Sequence, residues 1–411
     1  MTGPDVVLRG RVATPDTLLD DGAVVVRGDR IAWVGPVAHA AAAGFPAVAG
    51  EPRPAPGTTL LPGLVDLHNH GGGGAGFPDV ATRDEAMVAV LEHRRHGTTT
   101  LLASLVSADR ATLLERAELL AGLADDGEIA GIHAEGPFLS HARRGAHSPA
   151  ALVPGDAGLV RELAAAARGH LRTMTVAPEV EGVAGPGGAA EALVEAGAIP
   201  SLGHTDGTTE QAEELVAEVV AGLRAAAGPS APPREMTATH LFNGMRPLHH
   251  RQPGPIAACL AAAARGEMVV ELIADDVHLA LATVRSVVRT LGADRVALVT
   301  DAMAAAGMAD GAYELGPMAV TVRDGVARAT DPDHPEGGAI AGGTAHLVDV
   351  VRATVAAGIT LVDAVRSASW VPARVLGLDD VGGLVAGRRA DVVVTDRDLR
   401  VQRVLRAGAG V

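Results

Sequence analysis

From residue 61 onward, short apolar runs alternate with longer amphipathic stretches, and this alternation narrows the possible folds more than any other feature of the chain. The runs fall at 61–67, 98–104, 129–134, 173–177, 199–203, 237–241, 269–274 and 296–300, roughly 30–45 residues apart. Most are followed by a helical stretch, as at 82–96, 110–123, 187–196, 210–223 and 279–291. A strand–helix–strand repeat makes neighbouring strands parallel and their crossovers right-handed. The expected class is therefore α/β. Eight such units favour closure into a TIM (β/α)8 barrel over the alternative, an open doubly wound sheet.

The flanks read differently. Short strands are expected at 6–8, 23–26 and 31–34, with a hairpin-like break at Gly28-Asp29 and an Ala- and Pro-rich connector over 36–57. Past residue 301 comes a strand-like insertion near 312–329 and a polar turn over 331–338, the stretch 325–338 being longer and more polar than a connection needs. Helices near 344–357, 361–369 and 372–377 follow, and then strands at 390–395 and 401–405. The two chain ends are expected to pair into a small β-sandwich domain, residues 1–60 with 381–411, beside a barrel spanning 61–380.

A chain of 411 residues with 48% hydrophobic and 20% charged content can bury a large core, and with 2% aromatics that core must be Ala, Val and Leu. All 34 basic residues are arginine. Lysine Schiff-base chemistry and a carboxylated-lysine metal bridge are thereby excluded. The net charge of −15 argues against nucleic acid and anionic membrane as partners, since both select basic faces. One cysteine, Cys259, rules out an intrachain disulfide and fits a reducing compartment. No signal-like h-region opens the chain, and no apolar run reaches the roughly 18 residues a membrane helix needs. The expectation is a soluble cytoplasmic protein.

In a barrel of this kind, chemistry sits at the C-terminal ends of the strands. The first run ends in His68-Asn-His70 followed by four glycines. On a strand, i and i+2 face the same side, so both imidazoles can grip one metal ion. Taken alone, such a pair is as well read as one core and one surface histidine. The other strand ends supply Glu135, His204, His240 and Asp301. Four imidazoles and two carboxylates suit Zn²⁺, Fe²⁺, Co²⁺ or Mn²⁺ rather than Ca²⁺. Without thiolates, an open catalytic site fits better than a closed structural one. An open site acidifies water and polarises a carbonyl, and Asp301 is placed to act as general base and then acid. Glu135 is the natural bridge if two ions bind. His133 is read as a barrel-core residue as readily as a site residue, and His93, His96, His141 and His170 as surface or structural. Met245, Met303 and Met308 are read as core or wall packing.

Several motifs, taken together, carry a resemblance. Pro62-Gly-Leu-Val-Asp-Leu-His-Asn-His70, His133-Ala-Glu-Gly-Pro137, Arg144-Gly-Ala-His-Ser-Pro149, Gly203-His-Thr205, Ala238-Thr-His-Leu-Phe-Asn-Gly-Met245, Ile273-Ala-Asp-Asp-Val-His278 and Leu298-Val-Thr-Asp-Ala302 appear in family order. The chain resembles the N-acetylglucosamine-6-phosphate deacetylases of the amidohydrolase superfamily over essentially its whole length.

The resemblance implies hydrolysis of the N-acetyl group of a 6-phosphorylated amino sugar, in amino-sugar catabolism, with one or two divalent metals per subunit. It places one metal on Glu135, His204 and His240 and a second on His68 and His70, and makes Asp301 the catalytic acid/base. Ala146, His147, Asn243, Gly244, His278 and the loop Ile340-Ala341-Gly342 would contact substrate, with His147 polarising the acetyl carbonyl. Arg251 would bind phosphate across a homodimer interface. On the residues alone, His249-His250-Arg251 is equally a solvated loop, and Arg143 reads as surface charge. Asp276 and Gly244 depart from the family pattern. The galactosamine epimer as substrate, a non-catalytic scaffold that kept the metal, and a phosphosugar-binding regulator are the competing readings.

Overall fold

The computed structural model describes residues 5–227, 234–330 and 337–411, so 331–336 of the expected polar turn lie outside the described residues. Eight parallel strands pair in sequence order: Leu64–Asp66, Thr98–Leu105, Gly131–Glu135, Leu171–Val176, Ile199–Leu202, Met236–Ala238, Met268–Leu272 and Val296–Leu298. Each is almost wholly buried, as strands covered on both faces must be, and this is why they read as continuous apolar runs. The ladder closes beyond the last strand. Asp301 N–H donates to the His68 carbonyl (3.0 Å) and His70 N–H to the Ala302 carbonyl (2.6 Å). The buried Asp66 carboxylate reinforces this seam by accepting from the Thr300 hydroxyl at 2.6 Å. The closure that completes the barrel thus runs through the same residues that end its first and last strands in histidines and Asp301.

Two layers of core hold the barrel. Val65, Leu67, Leu102, Ile199, Val269, Ile273, Ala297 and Val299 cluster with Val371, Val375 and Leu376 of the helix Trp370–Leu376. A second, larger cluster fills the space between the strands and the surrounding helices, and it is built from Ala, Val and Leu with Phe77 and Phe138.

The chain ends supply a second sheet of seven strands. Val6–Ala13, Leu18–Arg27 and Arg30–Pro36 join Thr59–Pro62, Val392–Thr395, Val401–Arg406 and Ala409–Gly410. The sheet rolls until its edge strand meets the run before Val392, where Ile31 N–H donates to the Arg388 carbonyl at 2.9 Å. One face buries Val12, Val24, Val26, Leu60 and Val392; the other buries Ala23, Val25 and Val48. The N-terminal strands are longer than their apolar centres because Leu18 and Leu19 pair with Ala13 and Val12 beyond a bulge, and the exposed Arg27 pairs with Arg30 at the other end. Gly63 hands the chain from this sheet to the barrel in one residue; a Cβ there would collide with the Thr99 hydroxyl and Asp391. The insertion after Asp301 is a three-stranded antiparallel sheet, Gly311–Leu315, Met318–Arg323 and Val326–Ala329.

Candidate metal centre and substrate pocket

Glu135 is the last residue of its strand, whereas three other strand-end residues lie just past theirs in the left-handed region. His204, His240 and Asp301 have φ of 46°, 27° and 48°. Non-glycine residues rarely adopt these values, and such strain concentrates at functional sites. The tight turns lift the side chains out of the pleat and aim them at one point above the barrel core.

There the imidazole nitrogens meet one another. His68 Nε2 lies 2.9 Å from His70 Nε2, and His204 Nε2 lies 3.2 Å from His240 Nε2. Two nitrogens on one tetrahedral Zn²⁺, each about 2.0–2.1 Å from it, stand about 3.3 Å apart. Glu135 joins the pairs. Its Oε1 is 3.0 Å from His204 Nε2 and 2.9 Å from His240 Nε2; its Oε2 is 3.1 Å from His70 Nε2. Asp301 Oδ1 is 3.3 Å from both His68 Nε2 and His70 Nε2.

Neighbouring groups hold several of these rings in the ligating form. The carbonyls of Arg143 and Ser104 accept from Nδ1–H of His204 (2.7 Å) and His70 (3.2 Å), leaving each Nε2 with its lone pair. The His68 ring has Glu271 Oε2 3.5 Å from its Nδ1, and the same carboxylate oxygen accepts from the His240 backbone N–H at 3.3 Å. The donor set, its spacing and its tautomers fit a divalent cation.

The charges are arranged accordingly. Burial alone would raise the carboxyl of Asp301, but the His68 and His70 rings that face it hold it well below the usual range. Glu135 is likewise held low against its burial by His147 and His68. Burial works against the charged forms of His68 and His70, yet Asp301 and Glu135 raise both. His147 goes the other way, pushed down by burial against the pull of Glu135. Its Nδ1 accepts from the Ser107 N–H at 3.4 Å, which puts the proton of the neutral ring on Nε2, 3.3 Å from Glu135 Oε2.

A cavity of about 240 Å³ opens over the centre. His70, Glu135, Ala146, His147, His204, His240, Asn243, Gly244, His278, Asp301, Ile340, Ala341 and Gly342 all line it. His68 lies beneath, fully buried. Asp275 Oδ2 accepts from His278 Nδ1–H at 2.7 Å at the pocket wall; burial opposes the protonated form of this ring, but Asp275 and the more distant Asp301 raise its affinity for a proton. Arg251 is the one predicted position that a single chain does not bring in. It is exposed, and its guanidinium meets His250 Nε2 at 2.8 Å.

Some contributors were not foreseen. The turn of the inserted sheet supplies Leu315, Pro317 and Met318 to the pocket, and Val106, Ser107 and Ser148 complete it. Nothing in the strand-like insertion marks it as a pocket wall; only its Gly-Pro turn between apolar residues hints at a buried tip. Arg143 is anchored rather than free surface charge: it and Arg246 clasp Asp206 at 2.8 and 2.9 Å. His133 proves structural. Its two nitrogens contact the Ser104 and Thr175 hydroxyls, both at 2.9 Å. Met245 and Met303 are buried, whereas Met308 is 49% exposed.

The fold and centre define a metal-dependent hydrolase of the barrel type, and comparison with known proteins agrees. The Amidohydrolase family model matches residues 59–410. The chain belongs to the amidohydrolase family. It is 33% identical to the N-acetylglucosamine-6-phosphate deacetylase of Lysinibacillus sphaericus over 364 residues, covering 86% of this chain and 85% of that one. It is 32% identical to the N-acetylgalactosamine-6-phosphate deacetylase of Escherichia coli O157:H7, covering 84% and 85%. Among solved structures, the N-acetyl-D-glucosamine-6-phosphate deacetylase of Mycobacterium smegmatis, as a mutant complexed with N-acetyl-D-glucosamine-6-phosphate, superimposes with a TM-score of 0.84 at 40% identity over 99% of both chains. The chain is thus a hydrolase acting on an amide bond, with a donor set built for a divalent metal. No described helix is long and apolar enough to cross a membrane.

Proposed function

We propose that the protein removes the acetyl group from N-acetyl-D-glucosamine 6-phosphate, giving glucosamine 6-phosphate and acetate. The observation that carries this reading is the convergence of four imidazoles and two carboxylates at the floor of a pocket whose wall carries His278. Glu135, His204 and His240 would hold one divalent cation and His68 and His70 a second, with the Glu135 carboxylate within reach of both. Zn²⁺ suits this nitrogen-rich set best, with Fe²⁺, Co²⁺ and Mn²⁺ as the other candidates. Bound there, the metal supplies acidification of water and polarisation of the amide carbonyl.

The protein's own groups do the rest. Asp301, kept ionised by its histidines, takes the proton of the attacking water and returns it to the departing amine. His147 presents its Nε2–H to the acetyl oxygen as charge develops there. Ala146, Asn243, Gly244 and the loop 340–342 shape the sugar site. His278 faces the phosphate, and Arg251 of a second subunit in a homodimer completes its binding with the planar fork that suits phosphate oxygens. The site of action is the cytoplasm.

A second reading, the galactosamine epimer, is favoured by the Escherichia coli relative. Acetate release from the two epimers, measured side by side, decides between them. The Asp301→Asn variant tests the chemistry itself: turnover should fall by about 10²–10⁴ while metal content and fold are kept. Near-normal turnover would remove Asp301 from its role.

A further inference from the structure

Among the described residues, four groups of three His, Asp or Glu side chains bring ligand atoms within 4.8 Å of one another. Three of them combine residues of the barrel mouth. The fourth is Glu92, His96 and His346, outside the pocket. Glu92 and His96 are i and i+4 at the end of the helix Arg83–Arg95, and so share a face. His346 stands at the start of the helix Leu347–Ala356. Glu92 Oε1 lies 2.9 Å from His346 Nε2 and 3.3 Å from His96 Nδ1, whose N–H donates to the Glu92 carbonyl at 2.8 Å, a bond that a metal on Nδ1 would replace. The two rings stack with centroids 3.6 Å apart.

Three features make this more than a surface ion pair. The side chains of His346 and Glu92 are only 9% and 17% exposed. Asp349 Oδ2 sits 3.5 Å from His346 Nδ1, the flanking carboxylate that orients metal-binding histidines and leaves Nε2 as the donor. His96 and Asp349 line a surface cleft together with Arg95, Arg352, Asp398 and Arg400, so the cluster meets solvent on its His96 side.

We propose that Glu92, His96 and His346 form a separate divalent-metal site of the Zn²⁺ class, pinning the two helices together and taking no part in the reaction. Two nitrogens and one carboxylate oxygen, with water completing the shell, suit a borderline transition metal and not Ca²⁺ or Mg²⁺. Metal binding would replace the direct contact between His346 Nε2 and Glu92 Oε1. The site adjoins the glycine loop that follows His70. Glu92 packs on Gly73 and Gly307, and the neighbouring His93 faces the Gly71 carbonyl through Nε2 at 2.8 Å.

The test compares the full-length wild type with His96→Ala, the variant at the most exposed of the three positions. Both are equilibrated by dialysis against the same low free Zn²⁺, and metal per chain is measured by elemental analysis. The wild type should carry one equivalent more, and added Zn²⁺ should raise its Tm further than that of the variant, with kcat/KM unchanged. Equal metal content and equal response of Tm to Zn²⁺ would overturn the site and leave a hydrogen-bond network joining two helices. His346→Gln should repeat the loss. If that variant fails to fold because the start of its helix is disturbed, His96→Ala still decides. Because metal is counted as a difference between proteins with intact barrel mouths, the result does not depend on the proposed substrate.

Discussion

At the residue scale, the same physical groups are pushed in opposite directions by their neighbours. Burial raises a carboxyl unless positive charge opposes it, and Asp301 has His68 and His70 to do so. Asp79, on the loop after His70, has little such help. Burial raises it from 3.8 to about 6, against the hydrogen bond it accepts from Gly316 N–H at 3.2 Å and with the negative charge of Glu314 adding to the rise. A carboxyl raised on folding contributes stability that is complete below the unfolded value and is lost as pH climbs through the folded one. Asp79 therefore favours the fold below about pH 4 and ceases to do so above about pH 6. The Asp79→Asn protein has no such titration. Its Tm relative to wild type should rise between pH 4.5 and pH 7, as thermal unfolding at the two values would show. A gap in Tm that stays constant with pH would contradict this assignment. Gly316 lies in the turn that presents Leu315, Pro317 and Met318 to the pocket, so the contact joins the inserted sheet to the loop after the metal ligands.

At the scale of elements, legibility followed the physics of each segment. The barrel strands could be read because both faces are buried and their sequences are continuously apolar. Their ends could be read because imidazole and carboxylate side chains have few reasons to recur at those places. His133 looked much like His68 in sequence, and only the two hydroxyls that satisfy its nitrogens separate them. Arg143 read as loop charge because its partner Asp206 is 63 residues away. The inserted sheet read as strands, but no local pattern says which surface a strand pair will cover. The seam also carries a backbone bond that no sequence pattern marks. Gly343 N–H donates to the Asp301 carbonyl at 2.6 Å, and a Cβ at Gly343 would collide with the Thr300 carbonyl oxygen. Backbone cannot yield as a side-chain tip can, so Gly343→Ala should cost about 1–3 kcal/mol and displace Asp301. Chemical denaturation and kcat together check this; unchanged values of both would show that the seam is softer than its geometry implies.

At the scale of the molecule, one chain builds the metal centre and most of the pocket yet leaves Arg251 on its surface. If Arg251 serves the neighbouring subunit, two inactive variants should repair each other. Mixing Arg251→Ala with Asp301→Asn under subunit exchange would produce hybrids in which one site has both an intact Asp301 and an intact Arg251. Activity should return on mixing and be absent from either variant alone. No recovery, with hybrid formation demonstrated, would place Arg251 in its own subunit's site or outside the reaction.

The two ends of the pocket would act on one substrate, with metal-assisted amide hydrolysis at the floor and the phosphate held at the rim. The most direct measurement is kcat/KM for acetate release from N-acetylglucosamine 6-phosphate and from unphosphorylated N-acetylglucosamine, with the metal content of the same preparation recorded. A large preference for the phosphorylated sugar is the predicted result. Equal activity on the two sugars, or none on either with metal present, would contradict it: the hydrolase centre would stand and the substrate would be another N-acyl compound.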